Sequence, residues 1–154
     1  MFKRTPSHQS LLVLLLLFAL TSVGCAGQVT VAAVSDAIGG PDSVTGRHDA
    51  YVQADESLSD IQRAAYLADS ATVVSAIEGA VAAEEKMVDA GPLVQPVDGV
   101  VDRHNAYIAL DEGLSQVAKE IFINEAVLLQ RVFQEADRSS GFGSAISDDS
   151  PLSE

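Results

Sequence analysis

Two sets of side chains in this sequence have the types and the spacing to do chemistry. In "RHDAYVQADESLS" at 47–59, His48, Tyr51 and Asp55 stand at i, i+3 and i+7, and Arg47 precedes them. In "RHNAYIALDEGLS" at 103–115, Arg103, His104, Tyr107 and Asp111 repeat the pattern fifty-six residues later. On a helix each set lies along one face. Imidazole, phenol and carboxylate are the groups from which acid–base sites are assembled. The pairs of His48 with His104, and of Asp55, Glu56, Asp111 and Glu112, would also offer nitrogen and oxygen ligands to zinc or iron if the two segments met.

The spacing argues against the sharper chemistry. No E-x-x-H, as found in di-iron helical bundles, and no H-E-x-x-H occurs around either histidine. There is no G-x-S-x-G and no glycine-rich loop placed to hold phosphate. An active site needs one copy of its residues, whereas a fold built from two similar halves needs both. The expectation is therefore structural, with no catalytic residue, no metal site and no cofactor. A tyrosine on a core stripe buries its ring and needs a partner for its hydroxyl. A neighbouring histidine can supply that partner, and Asp55 either holds the following turn or pairs with Arg47 or Arg63. By symmetry His48 and His104 would face each other across the junction.

The elements that must position these residues follow from the same repeat. Offsetting by fifty-six pairs Arg47 with Arg103, His48 with His104, Ala50 with Ala106, Tyr51 with Tyr107, Asp55 with Asp111, Glu56 with Glu112, Leu58 with Leu114 and Ser59 with Ser115. Milder matches extend it, among them Val44 with Val100, Arg63 with Lys119 and Tyr66 with Phe122. This is an internal duplication.

In each unit a turn and a capping aspartate, Asp42 or Asp98, precede a short helix. Its stripe is Val44, His48, Tyr51 and Val52 in the first copy, and Val100, His104, Tyr107 and Ile108 in the second. Ser59 with Gln62 forms a capping box for a second, longer helix, and Ser115 caps its counterpart without completing a box. The long helices are expected over about 60–89 and 116–138. Ile61, Ala65, Ala68, Thr72 and Ala76 mark the packed face of the first. Ile121 with Leu128, beside Phe122, Leu129 and Phe133, mark that of the second.

The expected fold is all-α: two duplicated short–long helical hairpins forming a small four-helix arrangement. Its parts are a leader at 1–24, a tether at 25–41, repeat 1 at 42–90, a linker at 91–97, repeat 2 at 98–138 and a disordered acidic tail at 139–154. The tether is either free or holds a short helix from Val31 to Ile38.

Residues 1–25 carry a basic start, "MFKR", an apolar run, "LLVLLLLFAL", and then "TSVGC". The apolar run is shorter than the roughly 20 residues that a membrane-crossing helix needs, and the order is that of a secretory signal peptide. The chain's one cysteine, Cys25, stands at the cleavage position, so no internal disulfide can form. "SVGC" resembles the lipobox of bacterial lipoproteins, with Ser22 where an aliphatic residue is more usual. The resemblance covers 1–25 and implies acylation of Cys25, with cleavage just before it. It places the chain in the cell envelope, anchored to membrane lipid with its polypeptide in water. Ala26 stands where an aspartate would resemble an inner-membrane retention signal, which favours the outer membrane.

The formal net charge of -13, with basic residues scattered singly, excludes nucleic acid as a partner. What remains is a non-enzymatic module that contacts an envelope protein or a second copy of itself. The alternative is a metal-binding or acid–base enzyme that uses the duplicated His, Asp and Glu residues.

Overall fold

The computed structural model describes residues 28–144. The leader, Cys25 and the last ten residues of the expected tail, 145–154, lie outside the described residues. In chain order the elements are strand β1 (Gln28–Thr30), the one-turn helix α1 (Val31–Val34), a 3-10 turn (Ser35–Ala37), α2 (Val44–Ala54) and α3 (Asp60–Ala82). Strand β2 (Met87–Asp89), a second 3-10 turn (Gly91–Leu93), α4 (Val94–Leu110) and α5 (Gln116–Ser144) complete it. The described chain is mostly helical. Its one sheet is a two-stranded antiparallel ribbon in which Val29 faces Val88.

The helix starts obey local chemistry. Ser59 accepts from the Gln62 backbone while Gln62 reaches back, the complete capping box, and Ser115 Oγ accepts from Ala118 N without a reciprocal bond. At α2 the cap is Ser43 and not Asp42, because Ser43 Oγ accepts the Gly46 N–H at 3.0 Å. Nor does Asp98 cap: α4 begins four residues earlier, at Val94, inside the stretch expected to be linker. Pro96 does not prevent this early start. It occupies the first turn, where a backbone N–H has no helical partner to lose.

Three boundaries differ from expectation at the other ends. First, α3 stops at Ala82 rather than near Asp89. Glu84 adopts φ 55°, the Glu85 N–H reaches Ala80 O at 2.8 Å, and the Glu84 N–H reaches Val81 O at 3.1 Å. This is a Schellman stop, with a glutamate in the left-handed position usually held by glycine. Glu84→Gly is therefore expected to raise stability by about 1 kcal/mol, measured as a higher urea midpoint; a lower midpoint would contradict this account of the turn. Second, α5 continues past Arg138 to Ser144. Ser139 Oγ and Ser140 Oγ donate to Glu135 O and Asp137 O, which spends the two hydroxyls inside the helix. Third, of the two expectations for the segment before α2 the short helix stands and the free tether does not: α1 and the 3-10 turn after it cover residues 31–37. Val29, Val31, Val34 and Ile38 are buried in the core.

The core is built mainly of valine with one large ring, Phe133, fully buried on α5 beside Ala126 and Leu129. The inward face of α3 is Ser70, Val73, Ile77 and Ala80. The row Ile61, Ala65, Ala68 and Thr72 points outward, and Ile61 is 84% exposed. The row that wins holds Val73 and Ile77, which remove more apolar area from water than the alanines do. On α5, likewise, Ile121 is exposed while Leu129 and Phe133 take the core side. Among the described residues, no helix is long and apolar enough to cross a membrane.

Candidate functional site

The two chemistry-bearing segments lie on α2 and α4, which run side by side with their C-terminal ends together. His48 and His104 are both fully buried. They do not bond to each other. Each receives an arginine from the opposite helix: Arg47 Nε donates to His104 Nε2 at 3.2 Å, and Arg103 Nε donates to His48 Nε2 at 3.1 Å. The tyrosines cross over as well. Tyr51 O–H donates to Asp111 Oδ2, and Tyr107 O–H donates to Asp55 Oδ2 at 2.8 Å. Between these bonds the Tyr51 and Tyr107 rings stack at 5.4 Å with an interplanar angle of 9°. Such a pair contributes roughly 0.5–1.5 kcal/mol beyond its buried area.

The long helices close the network from outside. Arg47 Nη2 bonds Glu125 on α5 at 2.8 Å and its guanidinium lies 4.1 Å over the Phe122 ring. Arg103 Nη2 bonds Asp69 on α3 at 2.6 Å and lies 4.2 Å over Tyr66. A third contact of Arg47, from Nη1 to Asp42 O, ties the start of α2 to the same side chain.

The bonds fix protonation states. An Nε2 that accepts from arginine carries no hydrogen, so the remaining hydrogen of a neutral ring sits on Nδ1. His104 Nδ1 then donates to Asn105 Oδ1 at 3.1 Å, and His48 Nδ1 to Asp49 Oδ1 at 2.8 Å. Asp49 also accepts from Ser70 Oγ on α3. Burial pushes His104 down from 6.5 to about 4; the Asn105 bond opposes the shift, and the charges of Arg47 and His48 add to it.

Burial first, and then the bond to Asp111, pushes the Tyr51 hydroxyl up to about 12. Burial and the bond to Asp55 do the same for Tyr107. Both phenols are therefore firm donors. Asp55 is held below the usual carboxylate range by Ser57 and then by Tyr107. Asp111 is held there by Tyr51 and then by the Gly113 N–H. Each carboxylate thus has two tasks: one oxygen ties its own turn and the other takes a phenol from the opposite helix.

The geometry brings together all eight residues of the duplicated patch: Arg47, His48, Tyr51, Asp55, Arg103, His104, Tyr107 and Asp111. It assigns them differently from the sequence reading. The histidines pair with arginines, not with tyrosines. Asp55 does hold its turn, but Arg63 meets its backbone carbonyl at 2.7 Å, not its carboxylate. Glu56 and Glu112 are exposed and outside the network. Asp69 and Glu125 were missed, although they too are fifty-six residues apart and both acidic, and continuing the offset would have paired them.

Every buried side-chain nitrogen and oxygen among the described residues has a partner. Both ring nitrogens of His48 and of His104 are committed to protein groups. A groove of about 440 Å³ lies elsewhere, between Ile38–Gly40 and Val74, Ile77 and Val81 of α3. Compared with protein-family models, with curated protein sequences and with solved structures, the chain matches none.

Proposed function

We propose that this chain is a bacterial lipoprotein of the cell envelope, held to membrane lipid through acylated Cys25. Its folded part is a non-enzymatic structural or protein-interaction module. The observation that carries the reading is the order of residues 1–25: basic start, apolar run, small residue, single cysteine. Two acyl chains or more hold a protein stably at a surface, while one holds it only marginally. On this reading β1 begins three residues after the anchor, so the core sits against the membrane surface with little slack. Ala26 favours the outer membrane.

The folded part is read as two copies of one short–long hairpin related by a pseudo-two-fold axis along α2 and α4. Support comes from the exchanged bonds, since each contact from the first segment to the second has a counterpart in the reverse direction. In that frame the duplicated side chains brace the junction, and the partner, an envelope protein or a second copy, binds elsewhere. Commitment of both ring nitrogens of His48 and of His104 to protein partners supports bracing over the enzymatic alternative. In that alternative, the same histidines and carboxylates bind metal or transfer protons.

Metabolic labelling with a radioactive or clickable fatty acid in a Gram-negative host tests the anchor. Label is expected on the wild type and is lost on Cys25→Ser. An unlabelled wild type, or label that survives the substitution, rejects the lipoprotein reading.

A further inference from the structure

The two halves of the polar network repeat the arginine–histidine and tyrosine–aspartate bonds, but they differ at the second ring nitrogen of each histidine. His48 Nδ1 meets a carboxylate, Asp49, and His104 Nδ1 meets a neutral amide, Asn105. We propose that His104 is an acid-operated release for the α2–α4 junction, its imidazolium left without a carboxylate because Asn105 stands where the other copy has an aspartate.

The mechanism is a conflict of donors. While His104 is neutral its Nε2 lone pair accepts from Arg47 Nε. A proton on Nε2 removes that lone pair and leaves an N–H facing an N–H, each on a positively charged group. No free carboxylate stands ready to take the new charge. From α5 the carboxylate that joins the network is Glu125, already bound to Arg47. From α3 it is Asp69, bound to Arg103. From α2 the groups are Arg47, whose positive charge opposes a second one, and His48, together with Asp49, which is bound to His48 and Ser70. On α4 itself the neighbours are Arg103 and the neutral Asn105. Separation of α2 from α4 at this point lets water reach the imidazolium and parts Arg47 from His104.

The sign follows from linkage. Burial lowers the folded-state value of His104 to about 4 against 6.5, so the closed form binds fewer protons than the open one between those values. Closure is therefore favoured above pH 6.5 and progressively lost as the pH falls toward 4. From pH 7.5 to 5 the open-to-closed ratio rises about 30-fold on these values. This inference concerns the folded part and stands whether or not Cys25 carries lipid.

Hydrogen exchange of the full-length chain in detergent, corrected for the intrinsic pH dependence of exchange, reads the opening directly. The expected result is a reversible rise of about 30-fold between pH 7.5 and 5 for amides of α2 and α4. Amides around Ala126, Leu129 and Phe133 should stay protected. His104→Gln, whose side-chain oxygen can accept from Arg47 but does not titrate, should abolish the rise. Asn105→Asp, which supplies the missing carboxylate without altering packing, should reduce it, and decides the question if the glutamine variant fails to fold. A rise that persists at full size in Asn105→Asp overturns the assignment. So does parallel loss of protection throughout α5.

Discussion

Arg47→Met is expected to destabilise the fold by about 3 kcal/mol, although it removes only one side chain from a helix near the surface. The arginine is 13% exposed and holds three partners on three elements: His104 on α4, Glu125 on α5 and Asp42 O before α2. Its loss leaves His104 Nε2 buried without a donor, at a cost of roughly 1–3 kcal/mol. It also removes the guanidinium from the Phe122 face, worth about 0.5–2 kcal/mol. The bond to half-exposed Glu125 adds little, because solvent screens it. Methionine keeps apolar contact with the ring, which limits the loss.

Arg47→Lys should rescue little. A lysine is a single point donor and cannot serve His104, Glu125 and Asp42 from one planar fork. The diagnostic is the pair Arg47→Met and His104→Leu. With both polar partners gone no orphan acceptor remains, so the double variant should recover about 1–2 kcal/mol relative to the sum of the single losses. Urea denaturation of the four proteins measures this. Single losses below about 0.5 kcal/mol, or strictly additive ones, would show that the network is not what joins α2 to α4.

How much of this was legible in the sequence depended on whether a signal was local. The Ser59–Gln62 box and the cap of Ser115 are chemistry among residues three apart, and both stand in the structure. The stripes of α2 and α4 were legible for the same reason: Val44, His48, Val52, Val100, His104 and Ile108 repeat at helical spacing and are all buried.

Boundaries set by long-range contact were not legible. Nothing local says that Glu84 will take a left-handed conformation. That follows from β2 having to turn back and pair with β1, a contact nearly sixty residues apart in sequence. The Val29–Ile38 segment likewise shows its character only against the core it fills. In the site, the repeat announced that eight residues belonged together, but periodicity cannot say which atom of one copy meets which atom of the other. The exchanged pairing of Arg47 with His104 and of Tyr51 with Asp111 is a property of how two helices lie together. A sequence pattern read along one helix pairs neighbours, and so it offered the tyrosine to the histidine beside it and not to the aspartate of the other helix.

The glycine at position 46 shows the same limit and carries the second large effect. By helix propensity Gly46 is a defect worth about 1 kcal/mol, and Gly46→Ala should repair it. The structure predicts the opposite sign. A Cβ at this position would stand 2.0 Å from Gly40 O and 2.9 Å from Pro41 Cα, both backbone atoms that cannot rotate aside.

The loop cannot simply move outward. Gly40 O accepts from Ser43 N at 3.0 Å, Gly39 N donates to Thr45 Oγ1 at 3.0 Å, and Gly39 itself sits at φ 87° to make the bend. Making room breaks these bonds and lifts the start of α2, with Val44 and the Arg47 contact to Asp42, off the core. Gly46→Ala is therefore expected to cost about 2–4 kcal/mol, overpacking outweighing the gain in propensity. Gly79→Ala is the control. It lies inside α3 with nothing within 4 Å of its would-be Cβ, and should stabilise by about 1 kcal/mol. Thermal melts of the two variants should move in opposite directions from the wild type. Parallel shifts would mean that the approach of Gly40 to α2 is not what demands a glycine there.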